Sequence, residues 1–176
     1  MSDDEGLEIG FTQVLYGVVV ASAINQLTFA PELRNVMLLF SLGFILGDWI
    51  EYQIAIREAS GTTSNYVTGF IFDVTILVIW HLLTTLSISE LDWFFLIAGT
   101  FFYSQGIWDR LILQVEVGEL VTRPHLQLAL FFIILAVVER ISAILPAALL
   151  ASSIVVFFVR KYPMWKKLIR KSPDAL

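Results

Sequence analysis

Apolar stretches close to the 20 or so residues needed to cross a bilayer as a helix recur along this chain, separated by short polar breaks. The pattern predicts helix 1 over Gly10 to Leu27, helix 2 over Leu38 to Arg57, helix 3 over Tyr66 to Leu86 and helix 4 over Leu91 to Leu113. Helix 5, Leu126 to Arg140, and helix 6, Pro146 to Val159, are shorter. Ala30-Pro31, the run Glu58 to Asn65 and Ser87 to Glu90 read as turns or loops, and Gln114 to His125 as the longest polar connection. Pro146 suits the first turn of helix 6, where its missing N–H would be unpaired anyway. The expected fold is therefore an all-α, polytopic integral membrane bundle of six transmembrane helices. Helices 5 and 6 leave two options open: two spans joined at a tight outer turn by Glu139-Arg140, or one re-entrant element added to five spans.

Helix 2 organises the rest because it carries acids within an apolar span. Residues three, four and seven apart share a face, so Ser41, Phe44, Asp48, Glu51, Tyr52 and Ala55 form one stripe. An acid near the middle of a lone spanning helix costs roughly 2.5–3.5 kcal/mol on insertion scales, so such a stripe is expected to face other helices or water. Asp73 in helix 3 is comparably deep, and His81 lies further along the same helix. Asp48, Glu51, Asp73 and His81 make up the intramembrane polar set. Its acids would favour cations in any hydrated path, and an equal reading has Asp48 and Asp73 as hydrogen-bonded structural groups. Asp109, Arg110, Glu139 and Arg140 fall at helix ends, where they are expected to serve as interfacial anchors.

Composition strengthens the membrane reading. Hydrophobic residues make up 57% and charged residues 15% of the 176, against about 45–50% and 25% in soluble domains. Mean hydropathy is +0.79. The absence of Cys removes disulfides and thiolate chemistry. Charge is unevenly spread: six of the eleven Lys and Arg lie between Arg160 and Lys171, whereas Asp3, Asp4, Glu5 and Glu8 crowd the start. This divides the chain into an acidic head, 1–9, a transmembrane domain, 10–160, and a basic tail, 161–176. The positive-inside bias puts the tail, and with six crossings both termini, in the cytoplasm of a cell membrane. Anionic lipid headgroups are the expected partners of the tail, and a nucleic-acid role is not expected from so short a basic cluster. The acidic bias fits a salt-adapted prokaryote.

Soluble-enzyme motifs are missing: there is no phosphate-cradling Gly-rich loop, no His-x-x-x-His pair and no Gly-x-Ser-x-Gly elbow. Asp73 and His81 are too far apart on one helix to act as an acid–base pair, so neither an enzyme nor a cofactor or metal is expected. Helix 1 offers a pathway wall instead. Thr12, Tyr16, Val19, Ser22, Ala23 and Gln26 give a narrow, small or mildly polar face, the pore-lining candidates; the same face would equally serve as a packing seam.

Phe11-Thr12-Gln13, ahead of an aliphatic run, resembles a variant of the Phe-Ser-Asp start of helix 1 in the endolysosomal potassium channel family. Phe40-Ser41-x-x-Phe44 with Trp49 is similar to that family's second helix, and Asn65 stands where the family has an Asn opening helix 3. The likeness covers about the first 70 residues. Gln13 replaces the motif's Asp, Leu7 and Glu8 stand where an Arg is expected, and Tyr52 takes the place of a His. The resemblance implies six-helix subunits assembled around pores lined by helix 1. Phe11, Thr12, Gln13, Ser41 and Trp49 would be the packing motif, with Val18, Val19 or Ser22 nearest a hydrophobic constriction.

The expected function is an ion channel subunit conducting monovalent cations, potassium or protons, through a homo-oligomeric pore, a tetramer or dimer. A small cation- or proton-coupled secondary transporter using Asp48 and Asp73 is the alternative, and a non-conducting scaffold or sensor that recruits a partner is the third.

Overall fold

The computed structural model describes residues 3–27, 32–59, 66–85, 90–112, 115–141 and 146–171, and they form six helices: α1 (Asp3–Asn25), α2 (Leu33–Ala59), α3 (Tyr66–Thr85), α4 (Leu91–Ile112), α5 (Val115–Ile141) and α6 (Pro146–Lys171). Side chains are described for 13–27, 32–52, 71–85, 90–111, 121–141, 146–167 and 170. Among the described residues, three segments are long and apolar enough to cross a membrane: Leu33–Tyr52, Val121–Ile141 and Pro146–Lys167.

Four boundaries move from the sequence expectation. The polar segment read as a connection is helical from Val115, so α5 begins eleven residues earlier than expected. α6 runs through the basic tail to Lys171 instead of ending at Val159. Polarity alone does not stop a helix: the buried positions Val121, His125, Leu128 and Phe132 keep helical spacing from the end of the polar stretch into the apolar run. In α6 the buried series Leu150, Ser153, Phe157, Lys161 and Met164 does the same. With 27 and 26 residues, α5 and α6 are both longer than expected, and each contains a segment long and apolar enough to cross a membrane. α2 begins at Leu33 rather than Leu38, and α1 takes in the acidic head from Asp3. The turns Ala30-Pro31 and Ser87-Ile88-Ser89, most of the 58–65 loop, and Asn65 lie outside the described residues.

Successive helices run antiparallel. Ala23 near the end of α1 packs with Leu38 and Leu42 near the start of α2, while Tyr16 reaches Asp48 further along it. The core is aromatic. Phe44 of α2 sits among Phe40 at 4.3 Å, Phe157 of α6 at 4.7 Å, Phe102 of α4 at 5.1 Å and Phe132 of α5 at 5.5 Å between ring centroids. Four helices therefore share one ring cluster. Large apolar side chains also cover the outside, among them Leu130 at 62% and Ile141 at 78% exposed. A surface this apolar is suited to lipid, and inside lipid it is close packing that holds helices together.

Candidate functional site

The buried ionisable residues of the bundle gather at one end of the aromatic core. Glu51 lies in the last turn of the apolar segment of α2, His125 in the second turn of that of α5, and Lys161 near the end of that of α6. Asp109 comes three residues before the end of α4. At the opposite end Asp92 of α4 pairs with Arg140 of α5 at 2.7 Å. Asp92 and Asp109 are about 25 Å apart along the helix at roughly 1.5 Å per residue. The Phe cluster fills the space between.

Glu51, Asp109, His125 and Lys161 are 7%, 4%, 0% and 3% exposed, and they touch one another. The Lys161 ammonium donates to both oxygens of Glu51, Oε1 at 2.7 Å and Oε2 at 2.9 Å. It also contacts Nε2 of His125, which lies 3.0 Å from Glu51 Oε2. The other ring nitrogen, Nδ1, contacts Oδ2 of Asp109. Trp165 Nε1 donates to Glu51 Oε1 at 2.6 Å, so one carboxylate is held from α6 by both a cation and an indole. Two close approaches make this possible. A Cβ on Gly47, one turn before Glu51, would stand 2.8 Å from the Trp165 ring, and one on Gly106 would stand 2.9 Å from Leu126, beside His125.

The imidazole is the pivot of this set. If Nε2 accepts from Lys161, the ring proton sits on Nδ1 and goes to Asp109; if the ring carries both protons, Nε2 can donate to Glu51 instead. With His125 doubly protonated, the four groups sum to zero charge; with it neutral, they sum to −1. Burying ions costs several kcal/mol each unless paired and hydrogen-bonded, and every member of this set has a partner.

A second polar group adjoins the first along the α2 stripe. Asp48 accepts from Tyr16 Oη of α1 at 3.0 Å and from Gln105 Nε2 of α4. Tyr52 donates to Asp73 of α3 at 3.0 Å. Tyr16 is packed between Trp49, at 4.2 Å, and Trp80, at 4.1 Å edge-on. Trp108 lies 6.1 Å from Tyr52. The indole N–H groups of Trp80 and Trp108 and the Thr122 hydroxyl are buried without a hydrogen-bond partner among the described residues. The two indoles are spare donors beside two tyrosines.

Of the residues singled out from sequence, Asp48, Glu51 and Asp73 are buried and bonded across helices, whereas the His81 side chain is exposed on the outer face. Asp109, expected at a helix end as an interfacial anchor, is buried inside the bundle, because α4 turns it to the same side as Ala98, Phe102 and Gln105. Arg110, the next residue, is exposed; Glu139 is half-buried; Arg140 is exposed and stands 5.6 Å over the Trp93 ring. The face of α1 containing Tyr16, Val19 and Ala23 is buried within the chain, in keeping with the packing-seam reading of the two left open for it. Ser22 and Gln26 flank it, Gln26 donating weakly to the Ser22 carbonyl at 3.4 Å. The exposed side of α1 presents Val14, Val18 and Ile24 instead. The side chains of Phe11 and Thr12 lie outside the described residues, and Gln13 is exposed. Ser41 is fully buried and donates to the Met37 carbonyl of its own helix at 3.0 Å.

Lys161, His125, Gln105 and Trp165 are the participants that sequence reasoning missed. Lys161 and His125 lie on the periodic buried faces of α6 and α5, a signal hidden by the cationic tail around one and the polar segment before the other. Among the described residues no cluster of His, Asp or Glu is arranged to hold a metal ion. The chain matches no family model, and no curated protein or solved structure matches it.

Proposed function

We propose that the protein is a six-span membrane carrier that moves protons, alone or in exchange for a small cation, through ionisable groups inside its own bundle. The observation behind this reading is the buried set Glu51–Lys161–His125–Asp109, contributed by four helices. Ionisable residues kept inside a membrane bundle commonly mark ion or proton paths, and clusters of coupled titratable groups mark working sites. A proton can pass from Asp109 to His125 Nδ1 and leave from Nε2 toward Glu51, with Lys161 shifting between the two acceptors as charge moves. Tyr16–Asp48 and Tyr52–Asp73 extend the polar route along α2. The aromatic core closes the remaining half, which favours a stepwise carrier over an open conduit. A channel between subunits, lined by α1, has less support because the outward side of that helix is aliphatic. The cations of α6 favour a cytoplasmic position for the ionisable end and for both termini.

The test is proton flux into liposomes containing the purified chain, followed with an internal pH-sensitive dye under a potassium-diffusion potential. Wild type should acidify the lumen. Glu51→Gln and His125→Phe should abolish the flux, and Asp92→Asn at the opposite end should retain it. A folded wild type without flux, or a Glu51→Gln variant with undiminished flux, would leave the network as a structural clamp in a non-conducting scaffold.

A further inference from the structure

The outer boundary between α5 and α6, at the level of the buried ionisable set, contains a cleft of about 410 Å³. Its cations come from both helices: Arg123 from α5, Arg160 and Lys167 from α6, all three exposed. Gln127 adds an amide, and no Asp or Glu lines the cleft among the described residues. Three positive groups line the cleft, and an anion placed among them would be attracted by all three. The rest of the wall is apolar, formed by Pro124, Pro163 and the buried Met164. Both prolines lie inside helices, where each removes a backbone N–H, leaving the carbonyls of Leu120 and Val159, four residues earlier, without their usual donor.

We infer that this cleft is a binding site for a phosphate-class oxyanion. The two guanidinium groups supply planar forks that match phosphate oxygens, and Lys167 supplies a third point charge. The volume falls in the range of about 300–1,000 Å³ typical of small-ligand sites, more than a bare phosphate fills. A glycerophosphate headgroup would use the excess, with its glycerol and first methylenes against Pro124, Pro163 and Met164. The position fits as well: Arg123 and Lys167 sit near the ends of the apolar segments 121–141 and 146–167, where headgroups would meet a bundle that spans a bilayer. The site is independent of the transport reading. It is also distinct from general attraction of a basic tail, because it selects three cations and leaves Lys166 and Arg170 outside.

Binding of dihexanoyl-phosphatidylglycerol, dihexanoyl-phosphatidylcholine and inorganic phosphate to the full chain in neutral detergent tests the inference. Saturable binding of the anionic lipid is expected, about tenfold or more tighter than of the zwitterionic one, the scale of one charge-assisted contact. Arg160→Gln and Arg123→Gln should each weaken it about tenfold, and Lys166→Gln should leave it unchanged. Phosphate that competes at similar concentration identifies a free anion as the ligand, and failure to compete identifies the lipid headgroup; both outcomes support the site. In the wild type, anionic lipid or phosphate should slow amide exchange within 123–127 and 160–167. Equal weakening by Lys166→Gln and Arg160→Gln, equal affinity for the two lipids with no phosphate binding, or unchanged exchange in those segments would overturn it.

Discussion

Lys161 and Glu51, separated by 110 residues in the chain, meet inside the bundle with the ammonium within 2.9 Å of both carboxylate oxygens. Removing either partner takes from the other its bidentate opposite charge in a buried site, which typically costs about 3–5 kcal/mol, whereas replacing both by apolar groups of similar volume is far milder. Lys161→Met and Glu51→Leu should therefore each lower unfolding free energy by about that amount. The double variant should recover more than half of the summed loss. Denaturant unfolding of the four proteins in detergent measures the cycle; strict additivity would show that the pair is not coupled.

Tyr16→Phe deletes one of the two donors that hold Asp48 and leaves the ring packing against Trp49 and Trp80 intact. The expected loss is about 1–3 kcal/mol, the cost of an unmet buried hydrogen bond. Gln105→Leu should behave similarly. Unfolding midpoints at constant denaturant slope check both, and an unchanged midpoint for Tyr16→Phe would count against the hydrogen bond.

Two glycines predict opposite signs. A Cβ at Gly99 of α4 would stand 2.8 Å from Ile133 Cγ1 and 3.2 Å from the Ala129 carbonyl oxygen of α5, so the backbones themselves must separate. Gly99→Ala should cost about 1–3 kcal/mol by overpacking. Nothing lies within 4 Å of a Cβ at Gly43, and Gly43→Ala should stabilise by up to about 1 kcal/mol through helix propensity. Thermal melts of the two variants should bracket the wild type.

The ion pair at the other end of the bundle is a control. Arg140 is largely exposed, so Arg140→Ala removes a screened contact to Asp92 and a cation–π contact to Trp93. Its cost should stay at or below about 1 kcal/mol. A loss as large as that of Lys161→Met would mean that burial does not set the scale here.

Much of the architecture was legible along the chain. The apolar runs locate six helices, and the stripe Ser41, Phe44, Asp48, Glu51 identifies the side of α2 that turns inward, because four-residue recurrence reports facing without any knowledge of the neighbour. The extents of α5 and α6 were not legible in the same way. Polar composition between Gln114 and His125 imitates a loop, and the basic cluster after Arg160 imitates a solvated tail, although Val121 and His125 in the one and Lys161 and Met164 in the other continue the buried face of their helix. The burial of Asp109 was not legible for a related reason: position at a helix end says nothing about which way the helix faces.

The sequence by itself thus determined an all-helical chain with an apolar exterior, acids inside α2 and α3, and cations massed on α6. Local recurrence and composition are one-dimensional properties, and they suffice for that. Only the tertiary structure decided that Glu51, Asp109, His125 and Lys161 share one buried site, and that the small-residue face of α1 packs inward. Such pairings depend on the rotation and relative depth of helices far apart in the chain. Those are set by the mutual fit of Phe44, Phe102, Phe132 and Phe157 and by close approaches at Gly47 and Gly106, which no single segment specifies alone.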